Sequence, residues 1–529
     1  MKVVQFTGHK EDYAKLFNSL KGFKELQTYS PSICRLEGVG VGESLLQEHS
    51  LLQAEAQQSE NIFRMRTRSG VTKDTFMKYC PLVDPLSYLT GGCGLIDLPS
   101  ERDTSVELNN SAYVDSTFVQ MASVLGQRYS IPNVVDSYGS FLGVKEEFMY
   151  DASEDLENLV HSQFFLNSKE KVYKDASGAL ASLGLPDFDK PKKPIKISTG
   201  AGGIIGLELD SLEDEDKASA FERASISSDD SSVSSRESNT SSDNESEELE
   251  SEDELDALNL SILDFPVVAV AMEKLEGTLD FLLSKEKHAM GEGELSAALM
   301  QVIMALISFQ KAFDLTHNDL HSSNIMYSRT DVSHLWYKVQ DKYYKVPTFG
   351  KIWKVIDFGR AIFRYKDELF CSGSFLKGGD AYSQYNFGPC LDEDSTVVEP
   401  NKSFDLCRLG VSLLDIVDWR DMGETEIGKT IEKWCHMDDG KNILYKKNGE
   451  ERYPNFKLYK MIARKVTKHQ PLDQLSEKPF SKFQVPDYKI KKVKEVIDMD
   501  SIKPEFSDIS YSNFGVSKST VGAELDEPM

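Results

Sequence analysis

The sequence predicts an α+β protein in two parts, a smaller strand-rich front and a larger, mostly helical back. Three observations carry this reading. The chain has 529 residues, too many for one core when a domain usually holds ~100–200 residues. Apolar residues fall mainly at strand spacing in the front and at helical spacing in the longest stretches of the back. A long acidic, serine-rich run interrupts the chain near its middle.

The elements follow in order. "NIFRMRTRS" and "TFMKYCPLV" flank "GVTKD" and read as a hairpin, with a charged helical stretch ahead of it. "SAYVDSTFVQMASVLG" (111–126) has apolar residues at helical spacing, and "NVVDSYGSFLGV" (133–144) reads as strand and turn. "FPVVAVAMEKL" is a buried strand, and "ELSAALMQVIMALISFQKAF" (294–313) a helix that is apolar on most sides. "KIWKVIDFG" is a further strand, and "SFDLCRLGVSLLDIV" (403–417) a largely buried helix.

Charge and cysteine usage exclude several classes. The net charge is −26, but residues 208–256 hold 19 acidic against 3 basic residues, so −16 belongs to that stretch. Neither part has the basic footprint of a nucleic-acid binder. Residues 225–256 lack aromatics and have almost no aliphatic side chains; such a segment cannot bury enough apolar surface to offset ordering entropy, so 208–257 reads as a disordered insertion. Ser227, Ser234, Ser242 and Ser251 each have an acid three residues on, a pattern open to acid-directed phosphorylation. The seven cysteines (34, 80, 93, 371, 390, 407, 435) form no C-x-x-C pair, neither a disulfide framework nor a zinc pattern. "MKVVQFTGHKEDYAKL" has no apolar signal core, and the longest apolar runs fall short of the ~20 residues that span a bilayer. The expectation is a soluble intracellular protein without membrane insertion.

The chemistry gathers in "LTHNDLHSSNIM" (315–326) and "KVIDFGRA". A single polar residue after a helix is ordinarily a solvated turn. Here Asp319 is followed five residues later by Asn324, and Asp357 closes an apolar strand 38 residues after Asp319. Phosphoryl transfer from a nucleotide needs a positioned hydroxyl and neutralised phosphate charge. Asp319 suits acceptance of the hydroxyl proton, and Asn324 and Asp357 supply hard oxygen ligands of the kind Mg²⁺ takes. Gly359 gives the turn its backbone freedom.

These residues resemble the protein-kinase superfamily. His317-Asn318-Asp319-Leu320 with Asn324 is similar to the catalytic loop H-R-D-L-x-x-x-N, and Asp357-Phe358-Gly359 to D-F-G. The resemblance implies a bilobal kinase-like fold, ATP and Mg²⁺ as cofactors and a protein substrate. It assigns Lys78 of "FMKYCP" to the α- and β-phosphates and Asp115, with Glu107 behind it, as its helix partner. It places Met272 at the back of the adenine pocket and the backbone of Glu273 to Leu275 against adenine. Asp405 resembles the helix acid that braces the catalytic loop, and Glu399 in "TVVEP" the acid that closes the activation segment. "LEGVGVGESL" is the nearest match to a glycine-rich phosphate loop, with Gly38, Gly40 and Gly42.

Two positions depart from the pattern. Asn318 replaces the arginine that would pair with an activation-loop phosphate. His321 replaces the lysine two residues after the base, as in small-molecule phosphotransferases whose loop reads H-x-D-x-H-x-x-N and in some divergent protein kinases, and the resemblance puts it within reach of the γ-phosphate. The stretches "FMKYCPLVDPLSYLTGG", "NNSAYVDSTFVQMASVL" and "DSYGSFLG" resemble the divergent serine/threonine kinases of large nucleocytoplasmic DNA viruses, iridovirus type. On this reading residues 1–207 form the N-lobe with a divergent N-terminal region and 208–257 the insertion. Residues 258–275 are the last N-lobe strand and hinge, 276–496 the helical C-lobe and 497–529 an irregular tail. The expected site of action is host cytoplasm or virion, without direct nucleic-acid binding. The alternatives are a small-molecule phosphotransferase of kinase-like fold and a pseudokinase that binds partners through its acidic insertion.

Overall fold

The computed structural model describes residues 20–27, 51–67, 69–92, 109–182, 258–284, 290–365, 368–377, 379–388, 390, 398–416, 422–454 and 456–504. The acidic segment 208–257, the glycine stretch 36–45, Glu107 and the tail beyond 504 lie outside the described residues. The fold is α+β. Its largest sheet contains β1 (Phe23–Gln27), β2 (Leu51–Gln57), β3 (Ile62–Thr67), β4 (Thr72–Pro81), β5 (Ser137–Asp151), β6 (Tyr173–Asp175) and β7 (Asn259–Glu273). The order is β1-β5-β7-β4-β3-β2, with β6 also on β7, and every pairing is antiparallel.

Hydrophobic pattern explains the sheet. In β3, Phe63, Met65 and Thr67 are buried while Arg64 and Arg66 point outward, the alternation of a half-buried strand. β7 lies between β4 and β5 with both faces covered, which is why "FPVVAVAM" is apolar without alternation. Its Val268, Val270 and Met272 join one core, and Val267, Ala269 and Ala271 the other. The hairpin expected around "GVTKD" is β3–β4, turning at Gly70, whose φ is +81°. The charged stretch before it is not helical where described. Leu51–Gln57 is β2, pairing Ala54 with Met65 and Gln57 with Phe63; strand pairing overrides the helix preference of Leu, Gln, Ala and Glu.

Helix α1 (Ser111–Tyr129) packs across β5 and β7. Asn110 caps it by accepting from the Ala112 N–H at 2.9 Å. Its other side meets α2 (Glu292–Phe313), where Phe118 contacts Phe309 and Phe313 edge-on at 5.4 and 5.5 Å. Among the described residues α2 alone is long and apolar enough to cross a bilayer, and it is buried inside the protein. Being covered all round, it needs no polar face. The front also holds short helical turns at Pro85–Thr90, Leu156–His161, Gln163–Asn167 and Ala179–Ser182, more than the single helix expected.

The back is less helical than its long apolar stretches suggest. It contains β8 (Gly277–Thr278), β9 (Ile325–Arg329), β10 (His334–Val339), β11 (Lys342–Pro347), β12 (Lys351–Val355), β13 (Ile362–Tyr365), β14 (Glu368–Cys371), β15 (Gln484–Val485) and β16 (Ile497–Asp498). "HLWYKVQDKYYKVP" alternates aromatic and β-branched residues about a two-residue turn, with Gln340 and Asp341 both at positive φ (50° and 55°). The region from 497 is therefore not wholly irregular, because β16 pairs parallel with β10. The remaining long helices are α3 (Phe404–Ile416), α4 (Glu426–Trp434) and α5 (Lys457–Lys465). Residues from β13, α3 and α5 share a third core containing Ile362, Phe404 and Tyr459.

Candidate active site

The register of β4 decides where Lys78 points. Lys78 and Cys80 share the face of β4 that looks toward α1, while Met77 and Tyr79 face the opposite core. Lys78 Nζ donates to Asp115 Oδ2 on α1 and to Asp357 Oδ1 after β12, both at 2.8 Å. Asp115 is deeply buried, with a side chain only 2% exposed. It also accepts from the Cys80 thiol at 3.5 Å and, through Oδ1, from the Phe358 N–H at 2.7 Å. One carboxylate thus binds the lysine and the backbone beside Asp357, and an aspartate suffices because α1 passes close to both.

Burial alone would lower the Lys78 pKa, but Asp115 and then Asp357 outweigh it and hold the ammonium well above its ordinary range. Burial would raise Asp357, yet Lys78, chiefly, and His317 hold its carboxyl down at about 2. Cys80 is pushed up, first by burial and also by Asp115 and Asp357, with Lys78 opposing, so it stays a thiol. Asp357 sits at φ 66°, a left-handed backbone that Asp tolerates better than most residues. Phe358 anchors the turn by packing on Phe118 at 4.4 Å and on His317 at 5.0 Å.

The loop after α2 is braced from below. Asp405, buried on α3, accepts from the His317 N–H at 3.0 Å and the Asn318 N–H at 3.0 Å. Burial lifts its pKa to about 6, although His317 and the two N–H groups pull the other way. His317 Nε2 lies 2.9 Å from the Ile356 carbonyl, and its Nδ1 accepts from the Asp319 N–H at 3.3 Å. A carbonyl only accepts and an N–H only donates, so the ring proton sits on Nε2.

Asn318 is fully buried at φ 67°, a conformation that suits Asn. Its Oδ1 accepts from Gln384 Nε2 at 3.1 Å and from the Tyr385 hydroxyl, and its Nδ2 donates to the Arg360 carbonyl at 3.0 Å. The segment after Asp357 is thus tied to the loop by neutral hydrogen bonds. Glu399 ion-pairs with Arg364.

Asp319 and Asn324 face each other across the loop. Asn324 Nδ2 donates to the Asp319 carbonyl at 2.9 Å and to His321 Nε2 at 3.0 Å. With the amide nitrogen fixed by two acceptors, Oδ1 is the oxygen left for a ligand. His321 is chiefly lowered in pKa by burial, with Asp319 opposing, in keeping with an Nε2 that accepts. Asp319 Oδ1 accepts from the Tyr459 hydroxyl at 3.1 Å, and Oδ2 lies 3.3 Å from Arg360 Nη1. The other arm of Arg360 reaches Asp380 at 2.9 Å.

Tyr459 and Arg360 were not assigned this contact from sequence; nothing local marks a tyrosine 140 residues from its partner.

Met272 is buried at the end of β7 between Phe76 and Ser137. The Glu273 carboxylate accepts from Lys354 and from the Asp136 N–H, so that side chain is structural. The Glu273 and Lys274 N–H groups are taken by the Asp136 and Asp74 carbonyls. Leu275 is half-buried against the main core. Gly38, Gly40 and Gly42 lie outside the described residues. The turn that joins β2 to β3 is Gln58-Ser59-Glu60-Asn61, without glycine, and Glu60 ion-pairs with Lys145 at 2.9 Å.

Among the described residues no group of three or more His, Cys, Asp or Glu side chains is arranged to hold a metal. Asn324 and Asp357, on segments joined by the Ile356 N–H donating to the Asn324 carbonyl at 3.0 Å, carry an amide oxygen and a carboxylate, hard donors of the kind Mg²⁺ takes. Comparison of the chain with protein-family models and with curated proteins gives no match.

Proposed function

We propose that the protein is an ATP- and Mg²⁺-dependent serine/threonine protein kinase of bilobal kinase-like fold, of the divergent kind encoded by large nucleocytoplasmic DNA viruses. The observation that carries this reading is the contact of Lys78 with both Asp115 and Asp357 at 2.8 Å, from three elements far apart in sequence. A lysine held charged between a helix acid and a loop acid is a receptor for phosphate charge. The adenine would sit by Met272 against the backbone from Glu273 to Leu275.

Asp319 receives the proton of the acceptor hydroxyl as the hydroxyl oxygen bonds the γ-phosphorus and the bond from that phosphorus to the β,γ-bridging oxygen breaks, releasing ADP. Asn324 and Asp357 would hold Mg²⁺, which when bound neutralises charge on the phosphates. His321, accepting from Asn324, keeps the amide oxygen turned outward. Asp405 fixes the loop through two backbone N–H groups.

His321 also supports a second reading, transfer to a small-molecule hydroxyl, because that position is shared with small-molecule phosphotransferases. The test is γ-labelled ATP with purified protein and a mixed protein substrate, beside an Asp319→Asn control. Label on protein that vanishes in the variant supports the kinase. Label on small molecules alone supports the second reading, and no transfer removes both.

A further inference from the structure

Building on the kinase reading, we infer that Tyr459, set by Arg408, is the positioning residue of the base Asp319. Tyr459 stands on α5 and donates its hydroxyl to Asp319 Oδ1 at 3.1 Å. Arg408, on α3, donates Nε–H to the same hydroxyl oxygen at 2.8 Å and lies over the tyrosine ring, 4.9 Å from its centre. Arginine has only donors. At that contact the tyrosine oxygen must accept, so its own proton is turned toward the carboxylate.

The ring is held independently of the loop. It packs near Phe404 at 6.4 Å and Phe456 at 5.3 Å and is itself buried. The hydroxyl position is therefore set by the packing of α5 on α3, both regular helices. Arg360 holds the other Asp319 oxygen at 3.3 Å. A carboxylate has about four acceptor sites; Tyr459 and Arg360 engage one on each oxygen, which leaves acceptor capacity for a hydroxyl proton. Without Tyr459 the carboxylate is held on one side only and can turn toward Arg360. Proton transfer depends on alignment within ordinary hydrogen-bond reach, so rate should fall while nucleotide binding is untouched.

Tyr459→Phe removes the hydroxyl and keeps the ring. The full chain is compared with Tyr459→Phe, Asp319→Asn and the double variant, using MgATP and a mixed protein substrate. In Tyr459→Phe, kcat should fall about tenfold, the scale of one aligned hydrogen bond, with KM for MgATP unchanged. In the Asp319→Asn background the second change should cost nothing further, since Tyr459 acts only through that carboxylate. Wild-type kcat in Tyr459→Phe overturns the inference, as does an undiminished loss in the Asp319→Asn background. If the wild-type chain transfers no phosphate, the kinase reading fails and the positioning claim is judged by crystal structures of wild type and Tyr459→Phe. An Asp319 carboxylate that keeps its orientation without the hydroxyl overturns it, and one that turns supports it.

Discussion

Two anchors hold the candidate site, and they are built from different materials. Above, Lys78 joins Asp115 and Asp357 with full charges. Below, Asn318 joins Gln384, Tyr385 and the Arg360 carbonyl with neutral hydrogen bonds. In the upper anchor the Asp357 side chain is 47% exposed, and on the kinase reading this is where ligand charge is met. The lower one is sealed, and there an ion would meet a large desolvation cost unless paired. Charge lies where solvent reaches the anchor, and amides serve where only position must be held.

The sharpest test removes charge from the ligand-facing side. Asp319→Asn should slow transfer by ~10²–10⁴, the scale of a lost general base, with far-ultraviolet circular dichroism unchanged. Asp357→Ala should abolish Mg²⁺-dependent nucleotide binding, read by calorimetry. Near wild-type turnover in the first, or equal MgATP affinity in the second, would break the assignment of these roles.

The anchors should also differ in how they fail. Lys78→Met leaves Asp115 buried without its cation, which should cost ~3–5 kcal/mol of stability and eliminate transfer. Asn318→Ala strands Gln384 and Tyr385 and should cost ~2–3 kcal/mol, while MgATP affinity in the folded protein stays the same. Thermal denaturation and nucleotide titration on both variants decide; loss of MgATP binding in Asn318→Ala would erase the distinction.

Acid should separate stability from activity at Asp405. Its folded pKa, about 6, lies above the ~3.9 of an unfolded Asp. The folded state therefore binds the proton more tightly. Its contribution to stability is fully present below the unfolded value and is lost as pH rises through about 6. Activity should run the other way, since a protonated Asp405 braces two N–H groups less well. Rates and thermal midpoints from about pH 4 to 7 should show opposite slopes, and Asp405→Asn should flatten both. Parallel slopes would show that Asp405 does not brace the loop.

The smallest expected effect concerns phosphate. Asn318 offers a phosphate on the segment after Asp357 no cation, and Arg360 and Arg364 already pair with Asp319, Asp380 and Glu399, so phosphatase-treated protein should transfer from its first turnover without lag. A lag that shortens as label accumulates between residues 360 and 400 would overturn this.

Much of the site was legible because its chemistry is local. Asp319 and Asn324 are five residues apart, and Asp357 ends an apolar strand. Lys78 and Asp115 could be paired only through the resemblance to kinases, which expects a strand lysine and a helix acid there; no local pattern marks the contact. The Tyr459 contact was not legible, since the packing of α5 on α3 makes it and no local pattern marks it. The β2 strand was hidden by residues that favour helix, and only pairing with β3 reveals it. The β10–β11 hairpin, by contrast, had a readable alternation around Gln340 and Asp341, masked by the helical stretches on either side.

That hairpin lies in the chain between Asn324 and Asp357, and its sheet runs β15-β11-β10-β16. Residues from the end of the described chain therefore cover both of its open sides, and Asp500 accepts from the N–H groups of its turn at 2.7 and 3.0 Å. An uncovered strand edge is a template for another chain. Pairing with residues 484–485 and 497–498 thus occupies part of each hairpin edge. Shortening the protein before residue 484 would uncover those stretches of edge, so the truncated chain should associate more readily and lose solubility before it loses any chemistry.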